Sequence, residues 1–170
     1  MNLKTFIRDI ENFPTQGVVF RDITPLLNDS EAIKFAEEAL LGLIGEHKID
    51  KVVGMESRGF FFAPMLASRL NAGFIPVRKP GKLPFKTIRQ DYDLEYGTDA
   101  LEIHADAIGK GDRVLVHDDV LATGGTANAT CKLIEKMGGN IVQCNFLLEL
   151  DFLNGKDKLM EYEVESLLHF

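Results

Sequence analysis

The sequence predicts an α/β fold: a mostly parallel central sheet with helices on both faces. Three observations carry that reading. Apolar runs of strand length recur at 51–55, 74–77, from Arg113 onward and at 141–150, and stretches with apolar residues at helical spacing lie between several of them. Two of the runs end in short loops rich in small and hydroxyl residues that open helices, which is where ligands of parallel sheets are held. The composition agrees, because 170 residues with 45% hydrophobic content can bury one core and 15 glycines suit many tight connections.

The elements follow in order. Leu3, Phe6, Ile7, Ile10 and Phe13 repeat at helical spacing and predict a short helix over 3–12, closed by Pro14. A turn at 14–17 leads into residues 18–23, which look extended. Ser30 is the expected N-cap of a helix over 31–46, with Glu31 in its first turn and Ile33, Ala36, Leu40, Leu43 and Ile44 as its apolar stripe. The strand 51–55 runs into Glu56-Ser57-Arg58-Gly59 and then a helix over 60–70, in which Pro64 predicts a kink or a late start. The strand 74–77 ends in a basic loop, Arg78-Lys79-Pro80-Gly81-Lys82-Leu83-Pro84. Residues 85–104 are polar and alternating, which predicts a long two-stranded arm standing outside the core and suited to a mobile lid. A strand from Arg113, a helix over 127–137, a strand over 141–150, a loop or short helix over 151–158 and an edge strand within 162–170 complete the chain.

The organising stretch is Arg113 to Thr126. An apolar strand breaks into Asp118-Asp119, a short apolar step and Ala122-Thr123-Gly124-Gly125-Thr126, followed by a helix. Backbone N–H groups of such a loop, two threonine hydroxyls and the helix dipole make an anion site. The bland alternative, a turn with a helix cap, does not account for two adjacent carboxylates at a strand end, which need cations or hydroxyls to meet them. Loop and acids together read as a site for a ribose 5-phosphate group. Neither G-x-x-x-x-G-K-[ST] nor G-x-G-x-x-G is present, which argues against a P-loop NTPase or a dinucleotide fold.

A net charge of −7 disfavours nucleic acid or an anionic membrane as partner, so an anionic substrate must be met by local cations such as those at 78–86. The two cysteines, Cys131 and Cys144, show neither CxxC nor metal spacing and are expected buried and reduced, one on a helix and one on a strand. With no signal-peptide pattern and no apolar run of membrane length, a soluble cytoplasmic chain is expected. No repeat or second domain is visible, so residues 1–170 are read as a single domain.

The stretch Asp118-Asp119 to Thr126 resembles the phosphoribosyl pyrophosphate signature of the type I phosphoribosyltransferases, and four further segments resemble the adenine-specific branch of that family. They are Gly17-Val-Val-Phe-Arg-Asp-Ile-Thr-Pro25, Glu56-Ser-Arg-Gly-Phe60, the basic loop from Arg78 and Leu94-Glu-Tyr-Gly97. The likeness spans roughly residues 3–168. It implies the family fold, with a small N-terminal hood over about 1–30 and a mobile arm over about 80–106. It implies transfer of phosphoribose from phosphoribosyl pyrophosphate to adenine, giving AMP and pyrophosphate in purine salvage. Mg²⁺ is implied too, held mainly by substrate near Asp118 and Asp119.

Residue by residue, the resemblance places the 5′-phosphate on Ala122, Thr123, Gly124, Gly125 and Thr126, and the ribose hydroxyls on Asp118 and Asp119. Pyrophosphate falls to Ser57, Arg58, Arg78, Lys79 and Lys82. Phe20 is implied as a platform for the purine, with the backbone of Val19 and Arg21 on its edge. Glu95 is implied to handle the proton on the imidazole side of the base, Tyr96 to help close the lid and Arg58 to approach the reacting groups. A homodimer is implied, in which one basic residue, assigned here to Arg78, reaches the partner's site. Phe85-Lys86 departs from the Gly-Pro or Arg-Glu of some relatives, so lid closure is expected to differ in detail. Two rival readings stand beside this one: an enzyme using another purine, and a ligand sensor that keeps the fold without catalysis.

Overall fold

Runs of apolar residues that lack alternation need cover on both faces, and the structure provides it. It is a computed structural model that describes residues 1–93 and 97–170. The chain forms two compact units, Met1–Ala39 and Leu40–Phe170.

In the first unit a 3-10 turn, Leu3–Phe6, leads into β1 (Arg8–Glu11), which pairs antiparallel with β2 (Val19–Asp22) so that Ile10 stands opposite Phe20. This hairpin replaces the helix expected over 3–12. The spacing of Leu3, Phe6 and Ile7 suits one helical turn, but the backbone groups of 8–11 find their partners on β2 instead. The connecting turn carries Gly17 at φ +86°, with its N–H donated to Asn12 Oδ1 at 2.9 Å. The extended reading of 18–23 holds for β2. A single turn, α1 (Thr24–Leu27), follows and was not foreseen. The next helix, α2 (Ser30–Ile44), is capped by Asp29 and not by Ser30: Asp29 Oδ1 accepts from the N–H of Glu31 at 3.0 Å and of Ala32 at 2.8 Å. A carboxylate at that position also meets the positive end of the dipole.

The second unit holds β3 (Lys51–Met55), a 3-10 turn at Arg58–Phe60, α3 (Ala63–Arg69), β4 (Gly73–Val77), β5 (Thr87–Asp93), β6 (Thr98–His104), β7 (Arg113–Leu121), α4 (Gly125–Lys136), β8 (Asn140–Glu149) and β9 (Val164–His169). Five strands form one sheet in the order β4-β3-β7-β8-β9, and every pairing in it is parallel. Val53, Met55, Val114 and Val116 join Leu133 and Ile134 of α4 in one core cluster. Their neighbours Val52 and Leu115, also fully buried, face the other side of the pleat. Pro64 marks a late helix start, since α3 begins at Ala63 with the proline in its first turn. Ser57 makes no capping hydrogen bond.

The arm is the second correction. Strands β5 and β6 do pair antiparallel, Thr87 with His104 through Asp93 with Thr98. Yet Leu101 and Ile103 are fully buried members of the core cluster, and β6 bonds to Arg78 through Glu102 N–H···O at 2.7 Å and the return bond at 3.0 Å. One face of β6 is therefore core, not a free excursion. Thr98 and Glu102 lie on the other face and Asp99 is paired with Lys79, and these polar residues dominate the sequence pattern, masking the apolar pair. Cys131 and Cys144 sit as expected on α4 and β8, both buried and free, with their sulfurs 3.6 Å apart.

Candidate active site

The apolar run of strand β7 gives way to Asp118 and Asp119, the first half-buried and the second buried. Burial, and then the Asp119 charge beside it, push the Asp118 carboxyl well above the usual carboxylate range. Burial also raises Asp119, against the pull of Arg58, whose Nε lies 3.1 Å from Asp119 Oδ2. The Asp119 N–H donates to Asp118 Oδ1 at 2.9 Å. Among the described residues one guanidinium thus faces two carboxylates, and the pair is short of positive charge. That donor set fits a hard cation carried in by substrate, or the hydroxyls of a sugar diol.

The loop 122–126 follows directly. Gly124 caps α4 in the left-handed region at φ +75°, where a side chain would be strained, and the loop encloses a small cavity of about 80 Å³ with Asp118 at its edge. The first N–H groups of α4 open onto this loop, as an anion site requires.

A second loop meets the same place. Ser57, Arg58, Asp118, Asp119, Ala122 and Thr126 line one open cleft of about 310 Å³. The Glu56–Ser57 peptide is cis. Gly59 permits the close approach of this loop to β7, because a Cβ there would stand 3.0 Å from both Asp118 Oδ1 and the His117 carbonyl oxygen. Arg58 is thereby brought to the acids, as the motif suggests.

The basic loop is placed differently. Arg78 forms a two-point pair with Glu56, through Nε to Oε2 at 3.3 Å and Nη2 to Oε1 at 3.1 Å, and the Lys79 N–H donates to the same carboxylate at 2.9 Å. Burial opposes ionisation of Glu56, but these bonds hold its carboxyl below the usual range. The Lys79 ammonium is paired with Asp99 and lies 3.2 Å from the Tyr92 hydroxyl. Lys82 is exposed. The two loops are tied together by Glu56, but Arg78 and Lys79 are engaged by acids and not directed at Asp118.

Val19, Phe20 and Arg21 lie on β2 of the first unit. Phe20 is half-buried with its ring edge-on to Phe13 at 5.2 Å, Val19 is exposed and Arg21 is ion-paired with Asp9. Glu95 and Tyr96 lie outside the described residues.

Several residues that shape the site were missed. Glu56 stands inside a motif read from the sequence, yet its partner is in another loop. His117, the residue before Asp118, is fully buried and donates from Nδ1 to Asn145 Oδ1 at 3.0 Å, since the Asn145 amide nitrogen is turned to Leu40 O and Gln143 Oε1. Burial lowers its pKa to about 4 against that bond, so it stays neutral beside the acids. The turn at 155–158 falls within the loop or short helix expected over 151–158, but its place beside the site is not visible in the sequence: Gly155 touches the loop 122–126, where a Cβ on it would lie 2.2 Å from the Ala122 carbonyl oxygen. Among the described residues a three-donor cluster occurs at Glu149, Asp151 and His169, but Lys156 Nζ already sits 3.0 Å from Glu149 Oε2.

An acid pair, a Gly/Thr loop and an arginine loop meet at the carboxyl ends of a parallel sheet, an arrangement whose chemistry suits a phosphorylated sugar. The phosphoribosyl transferase domain model matches residues 25–165, and the chain belongs to that family. Within it the relatives are specific. The adenine phosphoribosyltransferase of Christiangramia forsetii is 65% identical, covering 100% of this chain and 99% of its own. That of Flavobacterium johnsoniae is 62% identical, with 100% of both chains covered. The crystal structure of the Rhodothermus marinus enzyme superposes with a TM-score of 0.95 at 53% identity, covering 99% of this chain and 96% of that one. The Saccharomyces cerevisiae enzyme, complexed with an imino-altritol bisphosphate and adenine, gives 0.92 at 42% identity over 98% of this chain and 96% of its own. These relatives place the chain among the adenine phosphoribosyltransferases.

Proposed function

We propose that this chain transfers the phosphoribosyl group of phosphoribosyl pyrophosphate to adenine, releasing pyrophosphate and forming AMP. The observation that carries the reading is the junction of β7 with its loop: a charge-poor acid pair and an anion site within one stretch, Asp118 to Thr126. The bound adenine and sugar bisphosphate analogue of the yeast relative support the same substrate classes.

In this reading Ala122, Thr123, Gly124, Gly125 and Thr126 receive the 5′-phosphate, and Asp118 and Asp119 accept hydrogen bonds from the ribose hydroxyls. Ser57 and Arg58 meet the pyrophosphate, which leaves as the anomeric carbon becomes cation-like. Mg²⁺, when bound with the substrate, supplies charge to the leaving group. The chain's part is to hold that charge in place before the bond breaks. Arg78 and Lys79 join when pyrophosphate competes with Glu56 and Asp99 for them, and the exposed Lys82 joins from solvent. Val19, Phe20 and Arg21 form the hood: the ring of Phe20 stacks on the purine, and backbone groups of its neighbours select adenine by its edge. Glu95 manages the proton of the base and Tyr96 closes the arm, which keeps water from the cation. The enzyme acts in the cytoplasm as a homodimer.

The test is a product assay with phosphoribosyl pyrophosphate, Mg²⁺ and separately adenine, hypoxanthine, guanine or orotate, followed by chromatography. AMP from adenine alone is expected. Product from another base would overturn the assignment of Val19 to Arg21, and no product with any base would move the chain to the sensor reading.

A further inference from the structure

The loop that receives the 5′-phosphate has no cation of its own, since residues 122–126 carry only small and hydroxyl side chains. A phosphate monoester brings close to two negative charges. Asp118 and Asp119 bring two more carboxylates within a few residues. Backbone N–H groups and a helix dipole offset part of this, and water-exposed charge elsewhere is screened within about 10 Å. A nearby ammonium is the missing piece.

The turn Gly155–Lys158 is packed directly on that loop. A Cβ on Gly124 would lie 2.3 Å from the Gly155 carbonyl oxygen, and one on Gly155 would lie 2.2 Å from that of Ala122, so the two backbones touch. The Asn128 side-chain amide on α4 donates to the Lys158 carbonyl. Leu159, fully buried, anchors the end of the turn. The two lysines of this turn are used differently. Lys156 is spent on Glu149 at 3.0 Å. Lys158 Nζ lies 3.9 Å from the place a Cβ on Gly125 would take, at the first residue of α4. It lines an open cleft of about 610 Å³ together with Thr123, Gly125 and Thr126. Asp93 and Asp157 border the same cleft, and among the described residues neither forms an ion pair with Lys158.

We infer that Lys158 is a further ligand of the 5′-phosphate, supplying the positive charge that the Gly/Thr loop lacks. The inference rests on the phosphoribosyl reading of that loop. The lysine stem reaches from a rigid turn across Gly125, and its ammonium meets phosphate oxygens that the loop N–H groups leave open. Because the contact is to phosphate alone, it adds nothing to the recognition of base or ribose.

The experiment compares AMP with adenosine by calorimetry, for the wild-type protein, Lys158→Ala and Lys158→Arg, at low and moderate salt. In the wild type AMP should bind more tightly than adenosine. Lys158→Ala should cost about tenfold in AMP affinity, as for loss of a charged hydrogen bond, leave adenosine unchanged and flatten the salt dependence; Lys158→Arg should restore most of it. In steady state, KM for phosphoribosyl pyrophosphate should rise and KM for adenine should not. Equal losses for AMP and adenosine, or a change in kcat alone, would mark Lys158 as a brace for the turn or arm and overturn the inference. Wild-type AMP affinity retained by Lys158→Ala would overturn it as well. A wild-type protein that binds AMP no better than adenosine would defeat the phosphate-loop reading and the inference together.

Discussion

Asp118 is held where its charge is disfavoured, by burial first and by Asp119 second. A carboxyl whose folded pKa lies above its unfolded value near 3.8 keeps its proton longer in the native state. Its contribution to stability is therefore lost as the pH rises from the unfolded value through the folded one. Where both groups are charged, the pair therefore costs the ligand-free protein stability. Asp118→Asn keeps the acceptor for the Asp119 N–H and removes the charge. Its melting temperature at pH 7.5 should exceed that of the wild type by roughly 2–4 °C, and the gain should shrink at pH 5. Thermal melts at the two pH values decide this, and an unchanged or lower melting temperature at pH 7.5 contradicts it. At this scale the sequence was informative where neighbours in the chain are also neighbours in the site. Asp118, Asp119 and the Gly/Thr loop were legible because one local stretch holds them all. Glu56 with Arg78, and Lys158 with Gly125, were not, because each pair joins separate loops that meet only through the order of strands.

Elements divide by the same logic. Strands β3, β7 and β8 were visible as apolar runs because both of their faces are buried. Strand β6 buries Leu101 and Ile103 on one face, and the polar Thr98, Asp99 and Glu102 interleaved with them give the segment a polar look that conceals the apolar pair. The N-terminal hairpin was misread because spacing alone does not distinguish a helix from one turn followed by a strand that finds a partner farther along. The root of the arm is part of the core, so Leu101→Ala should destabilise the whole second unit by about 2–5 kcal/mol, as for other fully buried leucines. Denaturant unfolding measures this, and a loss below about 1 kcal/mol would restore the picture of a free-standing arm. Lys79, paired with Asp99 and bonded to Tyr92, ties the basic loop to both strands of the arm.

For the whole molecule, an all-parallel sheet delivers every strand's carboxyl end to one edge, and that is where the acids of β7 and the arginine loop after β3 converge. Alternation of strand and helix foretold this layout, because a parallel pair needs a crossover and crossovers cover both faces. The division into an N-terminal unit and a sheet unit was less legible, since α2 runs through it without a break in pattern. If the activity resides in a ribose and phosphate site at the end of β7, that site controls the response to phosphoribosyl pyrophosphate. The most direct measurement is the initial rate of AMP formation against phosphoribosyl pyrophosphate concentration, for the wild type and for Asp118→Asn combined with Asp119→Asn. The KM for phosphoribosyl pyrophosphate should rise about tenfold or more, with KM for adenine little changed. An unaltered KM for phosphoribosyl pyrophosphate in that variant, with its fold intact by circular dichroism, would contradict it.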